Sequence, residues 1–254
     1  MKVCVLTSGS AGNSTLVKTD NHQILIDAGT NYNYLNNKLK EVGCEISDID
    51  YIFISHSHSD HIGALQQIIN KHRPVICLSE KMLQELVFLK NYDNLLVNEQ
   101  SMQLDELQIE YFKTSHDTAD SRGFVINSDN KALVYITDTG YLNSKHFSML
   151  KNKELYIMES NHDPEMLING KYPKWLQTRI LSDVGHLSNE SASLYLSKLI
   201  GPKTKKIILA HLSKENNSDI IALATFYKIM ADCNLDPVEV IVAKQDERTE
   251  FIEL

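Results

Sequence analysis

A chain of 254 residues, 43% hydrophobic and 23% charged, with only 10 Gly and 5 Pro, has ample material for a packed core, which excludes collagen-like, linker-like and disordered classes. Apolar runs such as Ile220 to Ala224 reach about five residues against the ~18 of a spanning helix, and the Val3 to Leu6 run stops at once in Thr7-Ser8-Gly9-Ser10. A cytoplasmic protein with no membrane partner and no secretory leader is expected, and the net charge of −8 argues against binding nucleic acid by bulk electrostatics.

In chain order, alternating or β-branched residues predict strands at Lys2 to Leu6, Ser14 to Lys18 and Gln23 to Ile26, separated by turn-rich segments. Tyr34, Leu35 and Leu39 set a helix over Tyr32 to Val42 that stops at Gly43, and Tyr51 to Ile54 reads as a short buried strand. A helix over Ile62 to His72, a strand at Val75 to Leu78 and a helix over Glu80 to Leu89 follow. Strands return at Leu107 to Lys113, Gly123 to Asn127, Lys131 to Thr137 and Leu155 to Met158, with a short helix between Ser144 and Leu150. Helices near Trp175 to Ser182 and Asn189 to Leu199, a strand at Lys206 to Ala210, a helix over Ser218 to Asp232 and a strand at Pro237 to Ala243 close the chain. Hairpins first and strand-helix alternation later, in each half, predict an α/β (α+β) fold. Two mixed sheets pack face to face with helices outside, a four-layer αββα sandwich in one domain spanning 1–254.

Cys4, Cys44, Cys77 and Cys233 are scattered singly, so neither a disulfide framework nor a Cys-rich zinc knot is expected, and all four read as buried thiols. Charge is uneven. From Lys171 to Lys214 there are eight Lys or Arg against Asp183 and Glu190, +6 there and −14 elsewhere, so one region can face an anion.

The informative stretch is Ser55-His56-Ser57-His58-Ser59-Asp60-His61, four potential metal ligands within six residues between a buried strand and a helix. His56 and His58 alternate in an extended segment and can converge on one ion, while Asp60 and His61 at the helix start can turn toward a second. These residues match in full the HxHxDH signature of the metallo-β-lactamase superfamily, which the chain resembles. The resemblance implies the metallo-β-lactamase fold and three later ligands after strands: His116, Asp138 and His211. It further implies one ion on His56, His58, His116 and Asp138, and another on Asp60, His61, Asp138 and His211. All are nitrogen and oxygen donors, which suit two divalent ions, zinc or manganese. No cysteine lies in a ligand position, unlike the zinc β-lactamases. Position 58 is His, and 254 residues leave no room for a flavodoxin domain, unlike the diiron oxygen reductases.

Three further segments sharpen the likeness: Thr7 to Ser14, Glu159-Ser160-Asn161-His162-Asp163, and Asp183 to Glu190 together with Ala210 to Asn217. They resemble the YycJ (WalJ) family of bacterial metal-dependent exonucleases, and the resemblance implies degradation of DNA from 5′ ends; RNA is the second candidate substrate of such a nuclease. Phosphodiester cleavage needs a proton for the leaving alkoxide, and His186 held by Glu159 suits that role, as in the similar acid pair of the superfamily's tRNA-processing enzymes. The candidate catalytic residues are therefore Asp60, His186 and Glu159. The bland alternative makes Ser188 a helix cap and His186 a packing residue. Ser10, Asn13, Asn161, His162 and Lys214 are the candidate substrate contacts, although the Gly9 to Ser14 loop reads equally as a phosphate cradle or a tight hairpin turn. Lys203 to Lys206 favour a solvated face. The alternative activity is hydrolysis of a small ester, a cyclic phosphodiester or thioester, on the same metals. A purely structural metal site fits poorly, because such sites are closed and usually Cys-rich.

Overall fold

Short β-branched runs, each too short to bury both faces alone, assemble into two mixed sheets of seven strands each. The computed structural model describes residues 1–236 and 238–254. It divides into one compact unit of residues 1–102, 118–121 and 244–254 and a second of residues 103–117 and 122–243.

In the first unit β1 (Lys2–Thr7), β2 (Ser14–Lys18), β3 (Gln23–Ile26), β4 (Tyr51–Phe53), β5 (Val75–Leu78), β6 (Leu95–Val97) and the C-terminal β14 (Ile252–Glu253) form a sheet in the order β14-β1-β2-β3-β4-β5-β6. Pairing is antiparallel from β14 to β3 and parallel from β3 to β6. The Gly9 to Ser14 segment is therefore a hairpin connection, closed by the Gly12 amide donating to the Gly9 carbonyl at 2.9 Å. Helix α1 (Tyr32–Lys40) starts at Asn31, whose side chain accepts from the Tyr34 amide, and buries Leu35 and Leu39 one turn apart. Each such leucine contributes roughly 2 kcal/mol by leaving water. The helix stops two residues earlier than the apolar pattern predicts, because Gly43 (φ +69°) turns the chain and the Cys44 amide bonds back to Leu39.

The helix expected over Ile62 to His72 is two pieces, α2 (Ser59–Ile62) and α3 (Leu65–Lys71). Tertiary bonding explains the break: the Ala64 amide donates to the Ala28 carbonyl, and a Cβ on Gly63 would lie 2.4 Å from the Thr30 carbonyl. Likewise α4 (Glu80–Glu85), capped by Ser79, passes into a 3₁₀ turn at Val87–Leu89.

The second unit orders β7 (Met102–Leu104), β8 (Leu107–Lys113), β9 (Arg122–Ser128), β10 (Lys131–Ile136), β11 (Leu155–Glu159), β12 (Lys206–Ala210) and β13 (Glu239–Val242) as β13-β12-β11-β10-β9-β8-β7. Strands β10 to β13 are parallel, so their C-terminal ends share one edge of the sheet. Its helices are α5 (Phe147–Leu150), α6 (Pro164–Asn169), α7 (Lys174–Ile180), α8 (Asn189–Leu199) and α9 (Asp219–Asp232). Ser188 and Ser218 cap α8 and α9, and Val134, Tyr156, Met158, Leu196 and Phe226 pack in one core cluster.

Helix α6 and the short strands β6, β7 and β14 are not evident in the residue pattern. Pro237, the expected start of the last strand, lies outside the described residues, and that strand spans Glu239–Val242. The four cysteines are free thiols, and one departs from expectation: Cys233 is exposed, because it stands at the C-cap of α9 where the helix meets solvent. Among the described residues no helix is long and apolar enough to cross a membrane.

Candidate metal centre

In the first unit the parallel pairing of β3 with β4 sets Asp27 beside Ser55, each just past its strand. Asp27 adopts φ +62°, a left-handed conformation that non-glycine residues rarely take, and it is fully buried. Its Oδ1 accepts from the Ser55 amide, and its Oδ2 accepts from the Ser55 hydroxyl and from His61 Nδ1, each at 2.7 Å. The Ser55 proton is thus spent on Asp27. His56 Nδ1, 3.1 Å from Ser55 Oγ, must then be the donor in that contact. Both His56 and His61 therefore carry the proton on Nδ1 and the lone pair on Nε2, the form that binds a metal. The His56 ring lies 4.8 Å from that of His58 and 4.0 Å from that of His61.

Asn13 braces the same segment. Its Oδ1 accepts from the Gly9 amide, which fixes the amide's orientation, and its Nδ2 lies 3.0 Å from His61 Nε2 and 3.3 Å from Asp60 Oδ2. Backbone bonds from Asn13 to Asp60 and from Ala28 to His61 hold α2 against the β1–β2 hairpin and the segment after β3. Gly29 makes this approach possible, since a Cβ there would stand 1.8 Å from the Asp60 carbonyl oxygen.

In the second unit the donors come from separate strand ends. Asp138 follows β10 and His211 follows β12, at φ +55° and +57°, while Glu159 ends β11 between them. Asp138 Oδ1 lies 3.5 Å from His211 Nδ1, 3.6 Å from His186 Nδ1 and 3.9 Å from His116 Nε2. Glu159 is fully buried and accepts four contacts: Oε1 from His186 Nδ1 at 2.6 Å and His211 Nδ1 at 3.0 Å, Oε2 from the amides of Thr139 at 3.0 Å and Leu187 at 3.3 Å. Burial by itself raises its pKa, but the charge and hydrogen bond of His186 and the bond from His211 outweigh that and bring it down to about 2. A carboxylate acceptor on Nδ1 again leaves the lone pair of His211 on Nε2. His116 matches, its Nδ1 facing the Gly185 carbonyl at 3.2 Å. In each unit two histidines thus present Nε2 as an electron-pair donor with a carboxylate near them, Asp60 in the first and Asp138 in the second. Each of these donor sets is of a kind that suits a divalent cation. The His186 side chain, 13% exposed against 1–2% for those of His116, Asp138 and His211, is the most accessible of the four.

Comparison with known proteins agrees with this chemistry. Residues 7–85 match the family model described as the metallo-beta-lactamase superfamily. The chain is 35% identical to the exodeoxyribonuclease WalJ of Streptococcus pneumoniae, over 92% of this chain and 90% of that one. It is 34% identical to the exodeoxyribonuclease YycJ of Bacillus anthracis, over 90% and 88%. The chain belongs to the WalJ/YycJ family. The metallo-beta-lactamase fold protein YhfI from Bacillus subtilis superposes with a TM-score of 0.73 at 19% identity, covering 98% of both chains, which establishes the metallo-β-lactamase fold with its two mixed sheets.

The segments that carry the WalJ/YycJ likeness do two kinds of work. Glu159, His186 and His211 form the cluster above, whereas the asparagines build a scaffold beside it. Asn217 Nδ2 donates to the carbonyls of Ser160 and Asn161 and to Asn189 Oδ1, Asn189 donates back to Asn217 Oδ1, and the Ser160 hydroxyl donates to Asn189 at 2.7 Å. Asn161 is buried and donates from Nδ2 to the His211 carbonyl at 2.9 Å. His162 is 1% exposed, and among the described residues neither ring nitrogen meets a hydrogen-bond partner. Burial brings its pKa down to about 4, opposed by the charge of Glu159 and assisted by that of His186. Ser10 and Lys214 are exposed, and Lys214 stands three residues past His211. The basic segment is partly neutralised: Arg179 pairs with Asp117 and Lys206 with Glu239.

Sequence reasoning missed Asp27, Gly29 and the Gly185 carbonyl. Asp27 had a usable signal, an acid directly after an apolar strand, the same signal that singled out Asp138.

Proposed function

We propose that this chain is a metal-dependent exodeoxyribonuclease that shortens DNA from its 5′ ends in the cytoplasm, residues 1–254 working as one hydrolase domain. The names of the WalJ and YycJ relatives support the substrate. The observation that carries the chemistry is Glu159, a buried carboxylate shared by His186 and His211. His56, His58, His116 and Asp138 would hold one divalent ion and Asp60, His61, Asp138 and His211 a second, zinc or manganese. Ions held there supply Lewis acidity at phosphorus and an acidified water for attack.

The chain's own residues do the rest. Glu159 stays ionised and keeps the His186 Nδ1 proton, so a proton on Nε2 exists only in the imidazolium form. That proton goes to the leaving oxygen. Asp60, beside Asn13 and His61, orients the attacking side. Ser10, Asn13, Asn161, His162 and Lys214 complete the reading as substrate-side residues. Asn13, Asn161 and His162 act from buried positions by setting the loops, and Ser10 and Lys214 act from the surface.

The test is His186→Ala on 5′-labelled linear DNA with Mn²⁺ or Zn²⁺. Turnover should fall about 10²–10⁴-fold while the metal content is kept. Loss of the metal would make His186 a ligand instead. Release of product only from a small phosphodiester, with intact DNA, would sink the nuclease reading.

A further inference from the structure

Between β11 and α8 the chain makes an excursion over residues 163–185 that carries α6 and α7 and ends at His186. Its charges are segregated: Asp163, Glu165 and Asp183 lie at its two ends, and from Met166 to Ser182 there are Lys171, Lys174 and Arg179 and no carboxylate. The chain's single tryptophan, Trp175, sits here and is 68% exposed, an unusual place for a side chain that ordinarily buries most of its surface. Ile168 and Leu181 in the same excursion are about half exposed.

The excursion is held firmly. Helix α7 turns Gln177 and Ile180 inward, and Gln177 Nε2 clamps the preceding loop through the Tyr172 carbonyl at 3.0 Å. Arg179 makes a two-pronged ion pair with Asp117, at 2.6 and 2.9 Å, one residue past the His116 of the metal-binding set. With the inner face spent on packing and Arg179 spent on Asp117, Trp175 and the charges of Lys171 and Lys174 are left at the surface. The Lys174 ammonium meets only neutral oxygens, of Ile168 and Gln177, among its hydrogen bonds.

We infer that this excursion is a landing platform for single-stranded DNA, on which Trp175 stacks a base and Lys171 and Lys174 meet backbone phosphates on the way to His186. The inference rests on the nuclease reading above and adds where the strand lies. An exposed aromatic face flanked by uncompensated cations is complementary to a splayed strand, which offers π-faces and negative charge together. A duplex hides its base faces and gains less. Because the platform is pinned at both ends, binding orders little that is not already ordered.

Trp175 reports on its own site, since no other tryptophan contributes. The metal-loaded chain is titrated with a cleavage-resistant phosphorothioate oligothymidylate, following tryptophan emission and, separately, the anisotropy of a labelled copy of the oligomer. Emission should quench saturably with the midpoint that anisotropy gives, and a blunt duplex should quench less. Trp175→Ala should weaken binding about tenfold and Trp175→Phe should recover most of it. Lys171→Gln with Lys174→Gln should flatten the salt dependence of log affinity by about 1.4. Binding by anisotropy with unmoved emission, or Trp175→Ala binding within twofold of the parent, overturns the platform while leaving the nuclease reading intact. DNA that is neither bound nor cut overturns both. Emission that shifts on diluting the protein alone makes this face a self-association surface, and quenching by an RNA oligomer but not by DNA assigns it to RNA; either result overturns the proposal.

Discussion

The two units reach the same donor chemistry by different routes. In the first, His56, His58, Asp60 and His61 come from six consecutive residues, and a buried carboxylate, Asp27, orients one histidine directly and the other through Ser55. In the second, His116, Asp138, Glu159, His186 and His211 come from five separate segments, and a single carboxylate oxygen serves two histidines. The first arrangement spreads the orienting work over a serine, an aspartate and an asparagine. The second concentrates it on Glu159, so the second should be the more brittle of the two.

The largest effect that sharpens this contrast is expected at Glu159. Glu159→Gln removes the charge from both His186 and His211, and kcat on 5′-labelled DNA should drop about 10²–10⁴-fold. A drop under tenfold would show that the sharing is incidental. Next comes His162, a buried histidine of the second unit that stands outside the donor set. Unfolded it takes a proton near 6.5, folded only near 4, so between those values the unfolded chain binds more protons and stability declines with acidification. The contribution of His162 to stability is therefore level above about pH 6.5 and falls toward pH 4 by up to about 3 kcal/mol. Urea midpoints across that range should lose most of this slope in His162→Leu, and parallel curves for parent and variant would refute the assignment. The smallest effect is expected in the first unit. Asp27→Asn has one accepting oxygen in place of two, so with the Ser55 amide bond kept it loses the acceptor shared by the Ser55 hydroxyl and His61, and competition with a chelator should show metal affinity lowered about 10–100-fold. A loss as complete as that of Glu159→Gln would erase the asymmetry.

The same contrast explains what the sequence disclosed. The His56 to His61 segment was legible because its donors are close in sequence and their spacing is itself a geometric statement. His116, Asp138 and His211 were visible only as a set behind that motif, since one His or Asp after a strand carries no spacing. Glu159 and His186 are 27 residues apart, and only the parallel register of β11 with its neighbours brings the strand end to the loop before α8. Asp27 went unread although it plays for His61 the part that Glu159 plays for His211. Strands such as Ser14–Lys18 and Val75–Leu78 were legible end to end because short β-branched and apolar runs bounded by turn residues mark strands buried along almost their whole length. The split of α2 from α3 was not, because it is decided by the Ala28 carbonyl, far away in sequence from Ala64. The three-residue strands β6 and β7 have half-exposed or exposed side chains, so no pattern marked them.

The knot of Ser160, Asn189 and Asn217 ties the end of β11 to the first turns of α8 and α9 with uncharged amides and a hydroxyl. Unlike the carboxylates and imidazoles beside it, none of these groups titrates in the physiological range or is weakened by added electrolyte. Briny surroundings should therefore silence the enzyme reversibly well before they loosen the framework that holds it, and a return to dilute buffer should bring back full turnover without refolding.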